Sequence, residues 1–156
     1  EEEIMQIKSF RGKLTDGALD TILLHTNDGS TGYRIKRFDI MSTDYGTAGA
    51  DAHSSVVKVF KIAQTTTEEF VDFADNTLIA AATFERFTSV GTLTQSIFFD
   101  NEIFNQDIYL THKDTQSGQS VNYYIELEMV KLALDENTVA TLKDIKNIEA
   151  STLSIT

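Results

Sequence analysis

Apolar and polar side chains alternate along residues 121–129. The odd positions hold Val121, Tyr123, Ile125, Leu127 and Met129, and the even positions hold Asn122, Tyr124, Glu126 and Glu128. Because successive side chains of a strand face opposite sides of a sheet, this pattern predicts a strand with one face in a core and the other in water. A second apolar run precedes it, and the polar loop 114–119 lies between them. Residues 103–134 are therefore predicted to form a long β-hairpin, around which the rest of the chain is arranged.

Short apolar runs recur upstream of this predicted hairpin. They lie at residues 5–10, 19–24, 33–41, 56–63, 78–84 and 93–99. Asp16 and Gly17 stand between the first two runs and predict a tight hairpin there. The run 78–84 is ambiguous, because its three alanines favour a helix whereas Thr83 and Phe84 favour a strand; we favour the strand. About eight or nine closely spaced strands predict a mainly all-β fold, an antiparallel β-sandwich of the jelly-roll type.

The apolar face changes partway along two of the predicted strands. In the run 33–41 it passes from Tyr33 and Ile35 to Phe38 and Ile40, and beyond Met129 it passes to even positions. A shift by one residue reverses every side chain of a strand, so a β-bulge or a sharp twist is predicted near Met129.

The pattern becomes helical after residue 134. Four aliphatic side chains recur three residues apart, at Val139, Leu142, Ile145 and Ile148. This spacing predicts a short amphipathic helix over residues 135–150, with Asp135 as its N-cap. The stripe either folds back as core across an open end of the sandwich or forms an assembly contact with a neighbouring subunit or a capsid shell. These four residues are therefore the candidate assembly contact.

The whole chain, 1–156, is predicted to be a single β-sandwich domain. Residues 1–4 are expected to form an extended arm, and residues 151–156 a tail after the helix.

Charge and composition restrict the partners more than the fold. Thirteen Lys and Arg against 24 Asp and Glu give a formal net charge of −11. A nucleic-acid-binding protein is expected to carry a basic stripe, and none is visible in the sequence, so nucleic acid is not a predicted partner. An acidic surface is also repelled by anionic lipids, and no apolar run approaches the roughly 20 residues of a membrane helix. The chain has no cysteine, which excludes disulfides and thiolate chemistry.

The residue types that carry chemistry form no recognisable catalytic constellation. The three histidines lack metal-ligand spacing; His25 and His112 are predicted at strand ends and His53 in a loop. The acidic turns 72–75 and 100–102 supply oxygens, but not the twelve-residue spacing of an EF-hand. We therefore predict no catalytic residue, no metal, no cofactor and no enzymatic activity.

Three outward residues of the strand 121–129 are candidates for a binding or catalytic site. Glu126 and Glu128 share one face about 7 Å apart, but neither has the apolar surroundings that the acid of a glycosidase requires. Tyr124 lies between Asn122 and Glu126, and an aromatic ring flanked by polar groups suits a sugar-binding face. An ordinary role in cross-strand pairing explains Tyr124 equally well.

Several stretches of the sequence resemble small structural proteins of marine tailed bacteriophages. They comprise residues 10–14 (FRGKL), 24–27 (LHTN), 32–35 (GYRI), 103–109 (IFNQDIY), 122–128 (NYYIELE) and 136–145 (ENTVATLKDI). The resemblance implies a capsid decoration or cement protein, which packs on the capsid surface and stabilises it. It further implies the virion, assembled in the host cytoplasm, as the location, with the major capsid protein and further copies of this chain as partners. It supplies no functional residues to carry over.

Two other functions fit the same features. A receptor- or glycan-binding knob or fibre domain of a virion would also be a compact acidic β domain without cysteine. A cellular β-sandwich adhesin would share these properties too. Copy number and position on a particle, or glycan binding by the isolated chain, would separate these functions.

Overall fold

The computed structural model describes residues 6–24, 29–43, 52–87, 91–115 and 118–132. Eight strands lie within these residues: β1 Ile7–Leu14, β2 Leu19–Ile22, β3 Thr31–Ser42, β4 His53–Phe60, β5 Leu78–Phe87, β6 Gly91–Phe98, β7 Ile108–Thr115 and β8 Val121–Lys131. They form a three-stranded sheet in the order β1-β8-β3 and a five-stranded sheet in the order β2-β7-β4-β5-β6. Every pairing is antiparallel, so the predicted antiparallel β-sandwich is confirmed.

The strand order is that of a jelly roll. β1 and β3 lie on either side of β8, and β2 and β4 lie on either side of β7. The first half of the chain therefore wraps around the last two strands, as two interleaved Greek keys do. β6 departs from a symmetric arrangement, because it pairs with β5 and extends the larger sheet to five strands.

Both predicted hairpins are wrong, and for the same reason. β1 and β2 flank the turn at Asp16 and Gly17 but lie in different sheets, and so do β7 and β8. The two strands that lie within residues 103–134 therefore belong to different sheets and do not pair, and the first of them begins only at Ile108. Small polar residues allow the chain to reverse whether or not the flanking strands pair. Here each strand pairs with a distant one, β1 with β8 and β2 with β7.

The β1–β2 corner, residues 15–18, is hydrogen-bonded to β7. The amide of Gly17 donates to the carbonyl of His112 at 2.9 Å, and the amide of His112 donates to the carbonyl of Ala18 at 3.1 Å. The amide of Asp114 donates to Oδ1 of Asp16 at 2.8 Å. Gly17 has a φ of 81°, a left-handed conformation that glycine adopts without steric cost. These bonds extend the β2–β7 pairing as far as the β1–β2 corner.

A single apolar core fills the space between the sheets. Its largest side chains come from both sheets and include Leu14, Tyr33, Ile35, Phe38, Ile79, Ile108, Leu110, Ile125 and Leu127. The inward set predicted for β8 is confirmed, since Val121, Tyr123, Ile125 and Leu127 are buried and Met129 is partly buried against the core. Tyr123 lies so close to Gly12 that a Cβ atom there would approach its Cε1 atom to 2.8 Å.

The change of face in β3 has a structural cause. Its pairing with β8 shifts between Ile35 and Arg37, so that Lys36 is the extra residue of a β-bulge. A β-bulge or a sharp twist was the prediction near Met129. The β-bulge is wrong, because the pairing of β8 with β3 continues without a shift through Met129 to Lys131.

The remaining predictions for local structure divide into three groups. The ambiguous run 78–84 is a strand, because β5 is held between β4 and β6 and this pairing overrides the helix propensity of its alanines. His53 begins β4 and does not lie in a loop. The arm 1–4, His25, the helix 135–150 with its stripe, and the tail 151–156 lie outside the described residues.

Candidate functional site

The smaller sheet gathers positive charge. Its three strands hold seven cationic side chains, which are Lys8, Arg11, Lys13, Arg34, Lys36, Arg37 and Lys131. The same strands hold only three carboxylates, Asp39, Glu126 and Glu128. In a chain with a formal net charge of −11, this sheet is therefore locally basic. The concentration is invisible in the sequence, because strands far apart in the chain bring these residues together.

Tyr124 lies at the centre of the outer face of this sheet. Its strand partners in the register are Arg11 on β1 and Asp39 on β3. The Tyr124 hydroxyl donates a hydrogen bond to Oε1 of Glu126 at 2.7 Å, and the Arg37 guanidinium carbon lies 5.5 Å from the ring centroid. The hydrogen bond to Glu126, followed by desolvation, raises the pKa of Tyr124. The ring is thus neutral and held in one position by two neighbours.

The cations around Tyr124 differ in their pairing. Nε of Arg37 donates to Oδ2 of Asp39 at 2.5 Å, and this hydrogen bond raises the pKa of Arg37. Arg11 and Lys13 are exposed on β1, and neither has a carboxylate partner among the described residues. Arg11 and Lys13 therefore supply the positive charge that is available to a ligand on this face.

These side chains border a groove with a volume of about 560 Å³. It is lined by Arg11, Gly12, Arg37, Asp39, Ile40, Met41, Asn122, Tyr123 and Tyr124. Its volume lies in the range of small-molecule sites, roughly 300–1,000 Å³. We name it the Tyr124 groove. The Tyr124 groove combines an aromatic ring, hydrogen-bond donors, hydrogen-bond acceptors and an unpaired guanidinium group among its described lining residues.

Glu128 lies on the same face but does not point into water as the alternation predicted. Its side chain is only 1% exposed, with Nε of Arg34 at 2.8 Å and Nζ of Lys36 at 3.5 Å from Oε2. The hydrogen bond from Arg34 lowers the pKa of Glu128 against the opposing effect of burial. A carboxyl group held in its ionised form cannot act as a general acid near neutral pH, so Glu128 is not the acid of a glycosidase pair.

A buried polar cluster lies against the β1–β2 corner. His112 is 0% exposed in the middle of β7, so its predicted place at a strand end is wrong. Its Nδ1 lies 2.8 Å from the carbonyl oxygen of Thr15, and its Nε2 lies 3.2 Å from Oγ of Ser55. The Ser55 hydroxyl donates to Oδ2 of Asp114 at 2.7 Å.

The cluster has the residue types of a serine hydrolase triad but not its arrangement. The Ser55 hydroxyl donates to the carboxylate of Asp114, whereas a catalytic serine gives its proton to histidine. Ser55, His112 and Asp114 are all buried, so no substrate reaches the hydroxyl. The cluster therefore joins β4 and β7 to the β1–β2 corner through the carbonyl oxygen of Thr15. The sequence indicates this cluster in one way. The alternation that places Ile108 and Leu110 on the inward face also places His112 and Asp114 there.

The acidic turn 72–75 uses its oxygens for local structure. Oδ1 of Asp72 accepts from the amide of Ala74 at 2.9 Å, and Oδ1 of Asp75 accepts from the amide and hydroxyl of Thr77. Within the described ranges, no group of three or more His, Cys, Asp or Glu side chains could hold a metal ion.

An apolar patch lies on the outer face of the larger sheet. Phe70, Phe73 and Ile97 are 72%, 54% and 48% exposed. A groove of about 390 Å³ runs between the segment 71–73 and β6, and Ala81, Thr83, Gln95 and Ser96 line its remainder. Phe73 contacts Phe99 edge to face, with ring centroids 5.4 Å apart. We name Val71, Phe73 and Ile97, together with Phe70, which precedes Val71 in the chain, the apolar patch.

Comparisons with known proteins do not assign this chain to a family. No protein-family model matches it, and no curated protein matches it. Among solved structures it is similar to dimeric latent PorU from Porphyromonas gingivalis, with 12% identity and a TM-score of 0.32. That match covers 85% of this chain and 13% of the PorU chain, so this chain spans a small part of its length. In the part of the chain that the structure describes, no helix has the length and apolarity needed to cross a membrane.

Proposed function

We propose that this chain is a non-enzymatic structural protein of a virion, which packs on the capsid surface as a decoration or cement protein. The observation that carries the proposal is the apolar patch. Exposed apolar side chains that adjoin one another beside polar residues are typical of protein–protein contact surfaces. The resemblance of the sequence to structural proteins of marine tailed phages supplies the partners, namely the major capsid protein and neighbouring copies of this chain.

The segment that carries the patch is anchored to the sheet beneath it. Nζ of Lys58 donates to the carbonyl oxygen of Phe70 at 2.8 Å, and Lys58 itself is buried. Desolvation lowers the pKa of Lys58, although Glu68, Asp75 and Glu69 oppose this effect. A contact surface that is ordered before binding loses less conformational entropy when it binds. The anchored patch therefore suits a permanent contact in a lattice.

The energy available from the patch is sufficient for attachment in many copies. Burying an aliphatic or aromatic side chain contributes about 1.5–3 kcal/mol before the costs of association. Phe70, Phe73 and Ile97 together would give a weak individual contact, and a lattice multiplies such contacts. The jelly-roll fold is also one that viral capsid domains use, although lectin domains use it as well.

Co-sedimentation with capsids tests the proposal. The purified chain should sediment with expanded capsids in a stoichiometric copy number, and Phe73→Asp should lower the bound fraction about tenfold or more. Met41→Asp is the matched control, because Met41 is also an exposed apolar residue but lies on the other sheet. Absence of co-sedimentation, or equal binding by the parent and Phe73→Asp, would contradict the proposal.

A second candidate function is a receptor- or glycan-binding head of a virion. The observation that favours it is the Tyr124 groove, which lies on the sheet opposite the apolar patch. The two functions use different surfaces, and therefore one chain can carry both.

A further inference from the structure

We propose that the Tyr124 groove binds an acidic saccharide, a sugar chain that bears carboxylate groups. This ligand class deepens the second candidate function and rests on it. The groove has the volume of a site for a small ligand, about 560 Å³. Three features of the groove and its border select a sugar that is both hydroxyl-rich and anionic: a fixed aromatic ring, an available guanidinium, and two carboxylates, Asp39 in the lining and Glu126 beside Tyr124.

The fixed ring is Tyr124. Its hydroxyl is bonded to Glu126 and its ring is contacted by Arg37, so it loses little freedom when a ligand packs against it. The C–H groups of a sugar ring pack on such an apolar surface, while the sugar hydroxyls turn toward polar neighbours. Met41, at the rim of the groove, is 65% exposed and adds a polarizable apolar contact.

The available cation is Arg11. It lies directly opposite Tyr124 in the β1–β8 register and is exposed, and it has no carboxylate partner within the ranges that the structure describes. A guanidinium presents paired N–H donors that match the two oxygens of a carboxylate. Lys13 follows on the same face, opposite Asn122, and adds positive potential beside the groove. A carboxylate-bearing sugar therefore has a partner here that a neutral sugar lacks.

The carboxylates of the groove favour a saccharide over a nucleic acid. Asp39 lines the groove and Glu126 is bonded to Tyr124, and both accept hydrogen bonds. A sugar hydroxyl can donate a hydrogen bond to such oxygens, whereas the phosphodiester groups of a nucleic acid carry no hydrogen to donate to them. A single-strand binder also needs a cationic groove that follows several phosphates, and Arg11 and Lys13 provide only a short one.

The test measures binding of uronic-acid oligosaccharides to the intact chain by isothermal titration calorimetry. The probes are tetragalacturonate, a tetrasaccharide of hyaluronan and an oligomannuronate, all at physiological ionic strength. Fully methyl-esterified tetragalacturonate is the neutral control, and oligo-dT is the nucleic-acid control. At least one acidic probe should bind, and its esterified or neutral counterpart should bind at least about tenfold more weakly.

Four variants assign the binding to the groove. Arg11→Ala and Tyr124→Ala should each weaken binding of the acidic probe about tenfold. Arg11→Lys should weaken it less, because lysine keeps the positive charge but not the paired N–H donors of the guanidinium group. Lys131→Ala is the matched control, because it removes one exposed cation from the same sheet outside the groove lining, and it should stay within about twofold. Melting temperatures verify that every variant is folded.

Several results would overturn the inference. These are binding of no acidic probe, equal binding of the methyl ester, tighter binding of oligo-dT, or equal losses in Arg11→Ala and Lys131→Ala. The capsid experiment reports on the apolar patch of the other sheet, so its outcome is independent of these results. Failure of the saccharide site and failure of the proposed decoration role are thus distinguishable.

Discussion

Glu128 accepts a hydrogen bond from Nε of Arg34 at 2.8 Å, although 94 residues separate them in the chain. The carboxylate is buried beneath Arg34 and Lys36, which lie two residues apart on β3 on either side of Ile35. The ion pair ties β3 to β8 near the bulge at Lys36. It also neutralises an acid that would otherwise oppose the positive charge of the smaller sheet.

This pairing predicts a loss of stability in acid. The pKa of Glu128 is lowered from its ordinary value of 4.5 in the folded chain, so the folded state gains stability above that value. The gain is lost as the pH falls from about 4.5 through the lowered pKa, because the unfolded chain takes up the proton first. Urea unfolding at several pH values should therefore show a smaller acid loss in Glu128→Gln than in the parent. Parallel losses in the two proteins would refute a stabilising role for the ionised Glu128.

The buried cluster at His112 predicts a second stability effect. Ser55→Ala removes the hydroxyl that Nε2 of His112 and the Asp114 carboxylate share, and leaves buried polar groups short of a partner. The expected cost is about 1–3 kcal/mol in the free energy of unfolding. Ser54→Ala, one residue away and only half-buried, should change it by less than about 0.5 kcal/mol. Equal effects from the two substitutions would argue against the cluster as a stabilising feature.

The core face of β8 predicts a third effect. Ile125→Ala and Leu127→Ala should each cost about 2–5 kcal/mol, because both side chains are fully buried between the sheets. Asn122→Ala, on the exposed face of the same strand, should be nearly neutral. The amides of residues 121–127 should also be among the slowest to exchange. Fast exchange there would mean that β8 is not the centre of the smaller sheet.

The fold class could be predicted from the sequence, but the sheet assignments could not. Alternation is a local signal, and it placed the core face of β8 correctly and indicated the change of face in β3. Strand pairing depends on residues far apart, such as Ile7 with Glu128, and no local pattern distinguishes a hairpin from a corner between sheets. Both predicted hairpins were therefore wrong, although the turn at Asp16 and Gly17 is present.

The candidate site was predictable to a smaller extent. Tyr124 stood out as an aromatic residue on the polar face of a strand, and the structure places it at the centre of a groove. Arg11 and Arg37 gave no signal, because only pairing of β1 and β3 with β8 brings them beside Tyr124. The burial of Glu128 was missed for a related reason, since its covering cations come from another strand.

The predicted helix 135–150 makes a fourth testable case, and it lies outside the described residues. Leu142→Asp combined with Ile145→Asp places two charges on its apolar stripe. If the stripe covers an open end of the sandwich, the double variant should melt much lower or fail to fold. If it is an assembly contact, the double variant should melt like the parent but no longer associate, as measured by analytical ultracentrifugation. A variant that matches the parent in both measurements would exclude both roles.

The decoration role is tested most directly by low-resolution imaging of purified particles that are labelled through this chain. A capsid surface protein predicts label over the whole capsid face, in a copy number that is stoichiometric with the major capsid protein. Label confined to a tail or a vertex in few copies would contradict that role and favour the receptor- or glycan-binding head. Particles without label would contradict a virion role altogether.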